Sequence, residues 1–242
     1  LHAPGNHDID FDVAEDETSL INYRRTFGPD TVAWEREGHA FIALDDVIYQ
    51  PQESPKYVGG FREEQFEFLG NYLKTLSPET QLVFSMHIPM FDDPVGSFRP
   101  ADRERFFALI KNFRSPLILS GHSHSQRHYF HTINTGWKGA EPLHEFNVGA
   151  ACGGYWGGQI KPDGLVDARM EDGSPNGYVL MRFESGKYTT RYFASGQKDD
   201  DRIALTSPGV LRRGAYPAHA LYANVYAAEP DAVVEYRINE GE

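Results

Sequence analysis

Two histidine-bearing turns and one isolated histidine, each beside a strand-like run, constrain this chain more than any other feature. Gly-Asn-His-Asp occupies residues 5–8, Gly-His-Ser-His occupies residues 121–124, and His87 follows the apolar run 81–85. Polar residues that follow buried strands collect at the carboxyl edge of the sheet in layered α/β proteins. The three segments therefore predict one site at that edge.

The residues between these segments alternate between strand and helix patterns. Strand-like runs cover residues 31–37, 39–49, 81–85 and 116–120, and apolar residues at helical spacing cover residues 15–27, 62–76 and 102–113. This alternation predicts an α/β fold in which helices flank a layered sheet. Residues 178–183 and 188–193 alternate around Ser185 and Gly186, which predicts a β-hairpin.

The chain is predicted to contain two domains joined by a linker. Residues 1–198 would form the first domain, and the charged and then Pro/Gly-bearing residues 199–217 would form the linker. Residues 218–242 would begin a β-domain, with strands over 220–227 and 232–238.

Charge and composition exclude several classes of function. The 242 residues carry a net charge of -12, which argues against nucleic acid as a general partner. A phosphate ester remains a possible ligand if metal ions supply positive charge locally. Cys152 is the only cysteine, so an intrachain disulfide and a cysteine-based zinc site are excluded. No apolar run approaches the roughly 20 residues of a membrane span. Compartment and oligomeric state stay open.

The residue types in the two turns are those of a metal site. Asn and His are neutral ligands for divalent metals such as Zn, Fe and Mn. His122 and His124 are one residue apart, so an extended segment would direct them to opposite sides, whereas a tight loop can direct them at two adjacent metals. This spacing indicates a dinuclear site of the kind that assists displacement at phosphorus.

Four further residues are candidates for substrate chemistry. Asp8 follows His7 directly and could orient its ring, so that a protonated His7 donates to a leaving-group oxygen or stabilises phosphoryl oxygens. Tyr155 and Trp156 lie between glycines and could stack on a base or sugar of the substrate. Packing of this aromatic loop onto the core is an equally good interpretation.

These motifs together resemble the calcineurin-like metallophosphoesterases, over about residues 1–195. The resemblance extends to residues 152–156 and 172–178, which look like a bacterial subfamily with a C-terminal β-domain. It implies a layered β-sandwich flanked by helices. It also implies that Asn6, His87 and His122 bind the second of two metals and His124 the first. His7 would contact the scissile phosphate with support from Asp8, and metal-bound hydroxide would attack phosphorus in line.

The family's pattern begins with Asp-x-His and Gly-Asp-x-x-Asp motifs, and neither occurs in this sequence. We therefore expect the chain to be N-terminally truncated. It would bind at most one of the two divalent ions (Mn, Fe or Zn), weakly, and would have little or no turnover. The full-length protein would hydrolyse a phosphate ester, with a slight preference for diesters.

The resemblance also bears on the substrate and the compartment. Its substrate would be a small-molecule or a lipid- or sugar-linked ester, and an extracytoplasmic, periplasmic location is suspected from the resemblance. Two alternatives compete with this prediction: a non-catalytic module that binds a glycan or a protein, and a mononuclear metal-binding scaffold.

The remaining histidines and the acidic pairs are predicted to be structural or solvated. His2, His39, His128, His131, His144 and His219 lie in turns, strands or loops. Asp45 and Asp46 end a strand and could face the site, although a loop start is the favoured interpretation. The pair at 92–93 is predicted to be solvated.

Overall fold

The computed structural model describes residues 1–91, 97–162, 164–184, 186–198, 201–207, 213–214 and 220–237. Three α-helices lie within these residues: α1 Ile21–Phe27, α2 Glu63–Tyr72 and α3 Pro100–Ile110. The strands are β1 Val32–Arg36, β2 His39–Ala43, β3 Val47–Tyr49, β4 Tyr57–Gly59, β5 Gln81–Ser85, β6 Leu117–Ser120, β7 Arg127–His131, β8 Leu143–Asn147, β9 Gly177–Glu184, β10 Lys187–Ala194, β11 Ile203–Thr206 and β12 Tyr222–Val225.

A six-stranded mixed sheet forms the centre of the fold, in the order β1-β2-β5-β6-β8-β7. The inner strands β2, β5, β6 and β8 are parallel, and β1 and β7 pair antiparallel at the two edges. Because the inner strands are parallel, the segments that follow them all emerge at the same edge. The predicted α/β fold is confirmed.

Helices α2 and α3 cover one face of this sheet. Leu69 of α2 and Phe106 of α3 are fully buried and belong to the same cluster as Ile42, Phe84 and Ile118 of the sheet. Phe84 and Phe106 meet edge to face, with ring centroids 4.8 Å apart. The helical spacing seen in the sequence therefore corresponds to the buried faces of these helices.

The hairpin of β9 and β10 packs on the opposite face of the sheet. Its Phe183 ring meets Phe41 at 5.4 Å between centroids, and its Tyr188 ring stacks on His144 at 5.8 Å. The sheet is thus covered by helices on one face and by strands on the other, which gives the layered arrangement. The hairpin was predicted correctly, although Ser185 in its turn lies outside the described residues.

Two predicted elements differ from the structure near the site. The predicted helix 15–27 begins only at Ile21, because Asp16 lies in a 3-10 turn and its carboxylate binds the Arg62 side chain and the Tyr49 N–H. The predicted strand 39–49 is two strands, β2 and β3. Asp45 and Asp46 separate them, and both carboxylates turn inward to accept backbone N–H groups.

The structure also differs from the predicted secondary structure in the C-terminal part of the chain. The segment 199–217, predicted as a linker, contains β11, which pairs antiparallel with β12. The apolar residues Ile203 and Leu205 supply a strand within a segment whose charges dominated the sequence pattern. Tyr226 then packs into a small cluster with Met170 and Tyr192. Residues 232–237, predicted to be a strand, contain none, and residues 238–242 lie outside the described part of the chain.

Candidate metal centre

All three predicted segments lie at the carboxyl edge of the parallel strands. His87 follows β5 by two residues, and residues 121–124 follow β6 directly. The first segment forms a 3-10 turn, Asn6–Asp8, in which the Asp8 carboxylate accepts the Gly5 N–H at 2.8 Å. The carboxylate of Asp8 therefore closes the turn that carries Asn6 and His7.

Three predicted ligand atoms converge at this edge. The His87 Nε2 atom lies 2.7 Å from Asn6 Oδ1 and 3.0 Å from His122 Nδ1. Two nitrogens bound to one tetrahedral zinc at about 2.0–2.1 Å are about 3.3 Å apart. The two separations from His87 Nε2 are a few tenths of an ångström shorter than this, and amide oxygen and imidazole are ligands that divalent metals accept, so the chemistry of this donor set fits such an ion.

Tyr57, which the sequence did not single out, orients the Asn6 amide. Its hydroxyl accepts a hydrogen bond from Asn6 Nδ2 at 3.2 Å, which leaves Oδ1 directed at His87. The Tyr57 ring also lies edge-on to His122, with centroids 5.9 Å apart. Tyr57 comes from β4, inside a Pro/Gly-rich segment that gave no signal of function.

Gly5 is required where it stands because the His87 ring packs directly against its backbone. A methyl group placed on its α-carbon would lie 2.8 Å from His87 Nδ1 and 2.9 Å from Cε1. These distances are far below van der Waals contact. The glycine of the first turn therefore makes room for the histidine.

The turn after β6 is held in a strained conformation. His122 and His124 both have positive φ, 66° and 53°, which side-chain-bearing residues seldom adopt. Asn147, at the end of β8, braces this turn by donating to the Gly121 carbonyl and accepting the Ser123 hydroxyl at 3.0 Å. The segment 121–124 is thus a tight loop and not an extended one. The sequence argument required such a loop for His122 and His124 to face two adjacent metals.

The environment keeps the central imidazoles neutral. Burial, and after it the neighbouring His122, His7 and His124, lower the pKa of His87 to about 3. The pKa of His122 is lowered by burial and then by His124 and His7. A neutral imidazole has a free lone pair at pH 7, which is the form that binds metal.

His124 and His7 flank the three converging donors. The His124 Nδ1 atom forms a short hydrogen bond with the Gly154 carbonyl oxygen, which assigns the proton to Nδ1 and leaves Nε2 as a possible ligand atom. The His124 ring lies 5.8 Å from Tyr155. His7 is exposed beside the buried Asn6. Tyr155 and Trp156 are 82% and 59% exposed, so neither packs into the core.

Buried acids lie close to the site, in the loop after β2 that the favoured interpretation predicted for Asp45 and Asp46. Both are fully buried. Burial raises the pKa of Asp45 to about 6, against the opposing effect of Arg62, and raises the pKa of Asp46 well above its usual range. The Asp46 carboxylate accepts the N–H groups of His87 and Ile88, each at 2.9 Å. Glu145 on β8, also buried, binds His131 at 2.7 Å.

The sequence analysis named Asp46 as a residue that could face the site but did not name Asn147. Asn147 could have been found in the same way as His87, because it stands at the end of the parallel strand β8.

Within the described ranges, no group of three or more His, Cys, Asp and Glu side chains is arranged to hold a metal ion. The converging set has two imidazoles and one amide. Likewise, none of the helices in the described part of the chain combines the length and apolarity that crossing a membrane requires.

Comparisons with known proteins relate part of the chain to one family. The yeast Saccharomyces cerevisiae protein "Cell division control protein 1" is 29% identical over 94 residues, which is 39% of this chain and 18% of that protein. The match thus spans less than a fifth of the yeast protein's length. A family model described as "C terminal of Calcineurin-like phosphoesterase" matches residues 145–242. The C-terminal part of this chain, from Glu145 onward, is therefore similar to the C-terminal region of the calcineurin-like phosphoesterases.

Proposed function

We propose that the carboxyl edge of the sheet is part of a metal-dependent site for hydrolysis of phosphate esters. The observation that carries this proposal is the convergence of three donor atoms. His87 Nε2 lies 2.7 Å from Asn6 Oδ1 and 3.0 Å from His122 Nδ1. The family match of residues 145–242 supports the reaction class. The activity is proposed for the whole protein in which these residues lie.

Each residue of the converging set has a role in this proposal. Asn6, His87 and His122 would bind one divalent ion, Mn, Fe or Zn, and His124 Nε2 is available for a second. The bound metal would supply a Lewis acid that withdraws charge from the phosphoryl group. Because the three converging donors are neutral, we propose that this chain alone binds one ion, weakly.

His7 is proposed to transfer the proton to the leaving-group oxygen. Its ring is exposed to solvent at the site, and it lies close enough to His87 and His122 to affect their pKa values. Asp8 would act through the turn, since its carboxylate holds the Gly5 N–H and thereby fixes the backbone from which His7 projects.

Tyr155 and Trp156 are proposed to contact the organic part of the ester. Tyr155 lies beside His124, and both aromatic side chains project into solvent. The resemblance of the motifs to a metallophosphoesterase subfamily slightly favours a diester over a monoester. Suitable substrates are small-molecule, lipid-linked or sugar-linked phosphate esters.

Metal binding is the first test. The metal-free chain is titrated with Zn²⁺, Mn²⁺ or Fe²⁺, and binding is measured by calorimetry and metal analysis. We expect one bound ion per chain. His122→Ala should abolish binding. His2→Ala is the matched control, because His2 is an exposed histidine whose ring lies 5.3 Å from that of Phe27. Equal binding by the His122→Ala variant and the unaltered chain would refute the proposed site.

Hydrolysis by the full-length protein is the second test, with an aryl phosphate diester and the corresponding monoester as substrates. We expect metal-dependent release of the aryl alcohol, faster from the diester, and expect His7→Ala to lower kcat most for a poor leaving group. A rate that is independent of metal would contradict the proposal.

The exposure of Tyr155 and Trp156 also favours a second candidate, a module that binds a glycan or protein without hydrolysis. Glycan binding that persists in the His122→Ala variant, in a protein that has no metal-dependent hydrolysis, would support this alternative.

A further inference from the structure

Carboxylates accept most of the N–H groups of the loop that carries His87, and the His87 carbonyl accepts the Gly121 N–H at 2.9 Å. Residues 86–90 leave the end of β5, and Met86 N–H still donates to a strand carbonyl, that of Leu119, at 3.0 Å. The next two N–H groups, of His87 and Ile88, donate to the two oxygens of Asp46, each at 2.9 Å. One side chain thus fixes two successive peptide groups at the proposed ligand.

Glu145 fixes the far end of the same loop. Pro89 has no N–H, and the N–H of Met90 lies 3.1 Å from Glu145 Oε1. The same carboxylate accepts the Ser120 hydroxyl at 2.6 Å, so it links this loop to the end of β6, from which His122 follows. Asp46 and Glu145 are both fully buried, and buried carboxylates are costly unless they are fully hydrogen-bonded.

An amide could not replace the Asp46 carboxylate without loss. Asn or Gln has one acceptor oxygen and one donor nitrogen, so at position 46 one of the two backbone N–H groups would face another donor. The loop would then shift, and the His87 ring has little room, because it already packs against Gly5. The loop would then no longer hold His87 Nε2 at the point where the donor atoms of Asn6 and His122 meet it.

We propose that Asp46 and Glu145 are positioning residues that hold His87 Nε2 at the point where Asn6 and His122 also direct their donor atoms. This inference rests on the proposed metal site and extends it to residues that touch neither metal nor substrate. Partners of this kind, one step removed from a metal, typically change affinity about tenfold to a hundredfold when they are replaced.

Asp45 provides a matched control for Asp46. It is the neighbouring residue, is equally buried, and also accepts a backbone N–H, that of Val47 at 3.0 Å. Its second partner is the Arg62 side chain, and neither partner carries a proposed ligand. Asp45→Asn should therefore destabilise the fold without moving His87.

The experiment is a Co²⁺ titration of the chain followed by visible absorption, with urea unfolding measured on the same samples. We expect Asp46→Asn to weaken Co²⁺ binding about tenfold to a hundredfold and to change the d–d bands. Glu145→Gln should weaken binding by about tenfold, at the lower end of the same range. Asp45→Asn should lower the urea midpoint and leave the bands and the affinity unchanged.

The outcomes separate this inference from the proposed function. If the unaltered chain binds no Co²⁺, the proposed site is wrong and the inference is overturned with it. If the unaltered chain binds and Asp46→Asn binds equally well, or if Asp45→Asn weakens binding as much, only the inference is overturned. If Asp46→Asn does not fold, Glu145→Gln decides, and unchanged affinity in that variant overturns the inference.

Discussion

The described residues contain two pairs of partly buried histidines in ring-nitrogen contact, and we propose a metal site at only one of them. In the first pair, His87 Nε2 lies 3.0 Å from His122 Nδ1; in the second, His128 Nδ1 lies 2.9 Å from His144 Nε2. Burial lowers the pKa of His87 to about 3 and that of His144 to about 4. Short contact and a lowered pKa therefore do not distinguish a metal site.

The difference lies in what surrounds each pair. His144 stacks on Phe130 and Tyr188, with interplanar angles of 8° and 16°, and His128 stacks on Phe146 at 4.1 Å between centroids. These rings occupy the space that an ion would need. The first pair instead meets a third donor, Asn6 Oδ1, and lies on loops, where His122 adopts a positive φ. In this protein the two histidines on strands stack on aromatic rings, whereas the two histidines on loops meet a third donor atom.

The largest expected effect separates the two pairs by metal affinity. His122→Ala removes a proposed ligand, so Zn²⁺ affinity should fall by more than about a hundredfold, beyond the loss expected for an outer partner. His144→Ala should leave Zn²⁺ affinity unchanged and lower the free energy of unfolding by about 2 kcal/mol through lost packing. Calorimetry and urea unfolding on both variants check this. A loss of Zn²⁺ affinity in the His144→Ala variant would contradict the proposed difference between the two histidine pairs.

Gly5→Ala tests how little space the first pair has. The added methyl group would lie 2.8 Å from His87 Nδ1, so the ring must move, and we expect Zn²⁺ affinity to fall about tenfold. Gly70→Ala is the control, because nothing lies within 4 Å of its added methyl group. Helix α2 should gain roughly 0.5–1 kcal/mol from that control. Equal Zn²⁺ affinity in the Gly5→Ala variant would show that the ring can relax.

Acid sensitivity gives a third comparison. The folded chain holds His144 neutral down to about pH 4, whereas the unfolded chain protonates it near its ordinary pKa of about 6.5. The unfolded state thus binds more protons between these values, and stability is lost as the pH falls from about 6.5 to about 4. His144→Phe should reduce this slope in urea unfolding at stepped pH. An unchanged slope would mean that His144 is protonated in the folded chain.

The sequence predicted those residues of the candidate site that lie just after strands or in a turn beside one. Asn6, His87 and His122 were identified because they follow strand-like runs or form a turn beside one, and parallel strands bring such positions together. The role of Tyr57 could not be predicted in this way. It lies 51 residues from Asn6 along the chain, and their contact depends on how the β3–β4 hairpin packs. The packing of His128 and His144 likewise depends on the register of β7 and β8.

The smallest expected effects come from two tyrosine hydroxyls. Tyr57 contacts Asn6 beside the first histidine pair, and Tyr188 contacts His144 of the second pair. Tyr57→Phe removes the acceptor for Asn6 Nδ2, so the amide can rotate away from His87. A hydrogen bond worth about 1 kcal/mol corresponds to a roughly fivefold loss of Zn²⁺ affinity. Tyr188→Phe removes the partner of His144 Nδ1 and should cost about 1 kcal/mol of stability, with no change in Zn²⁺ affinity. The same substitution would then act on metal binding at one pair and on folding at the other. If Tyr57→Phe lowers stability and leaves Zn²⁺ affinity unchanged, the contact between Tyr57 and Asn6 serves folding and not metal binding. The comparison between the two histidine pairs would then lose this support.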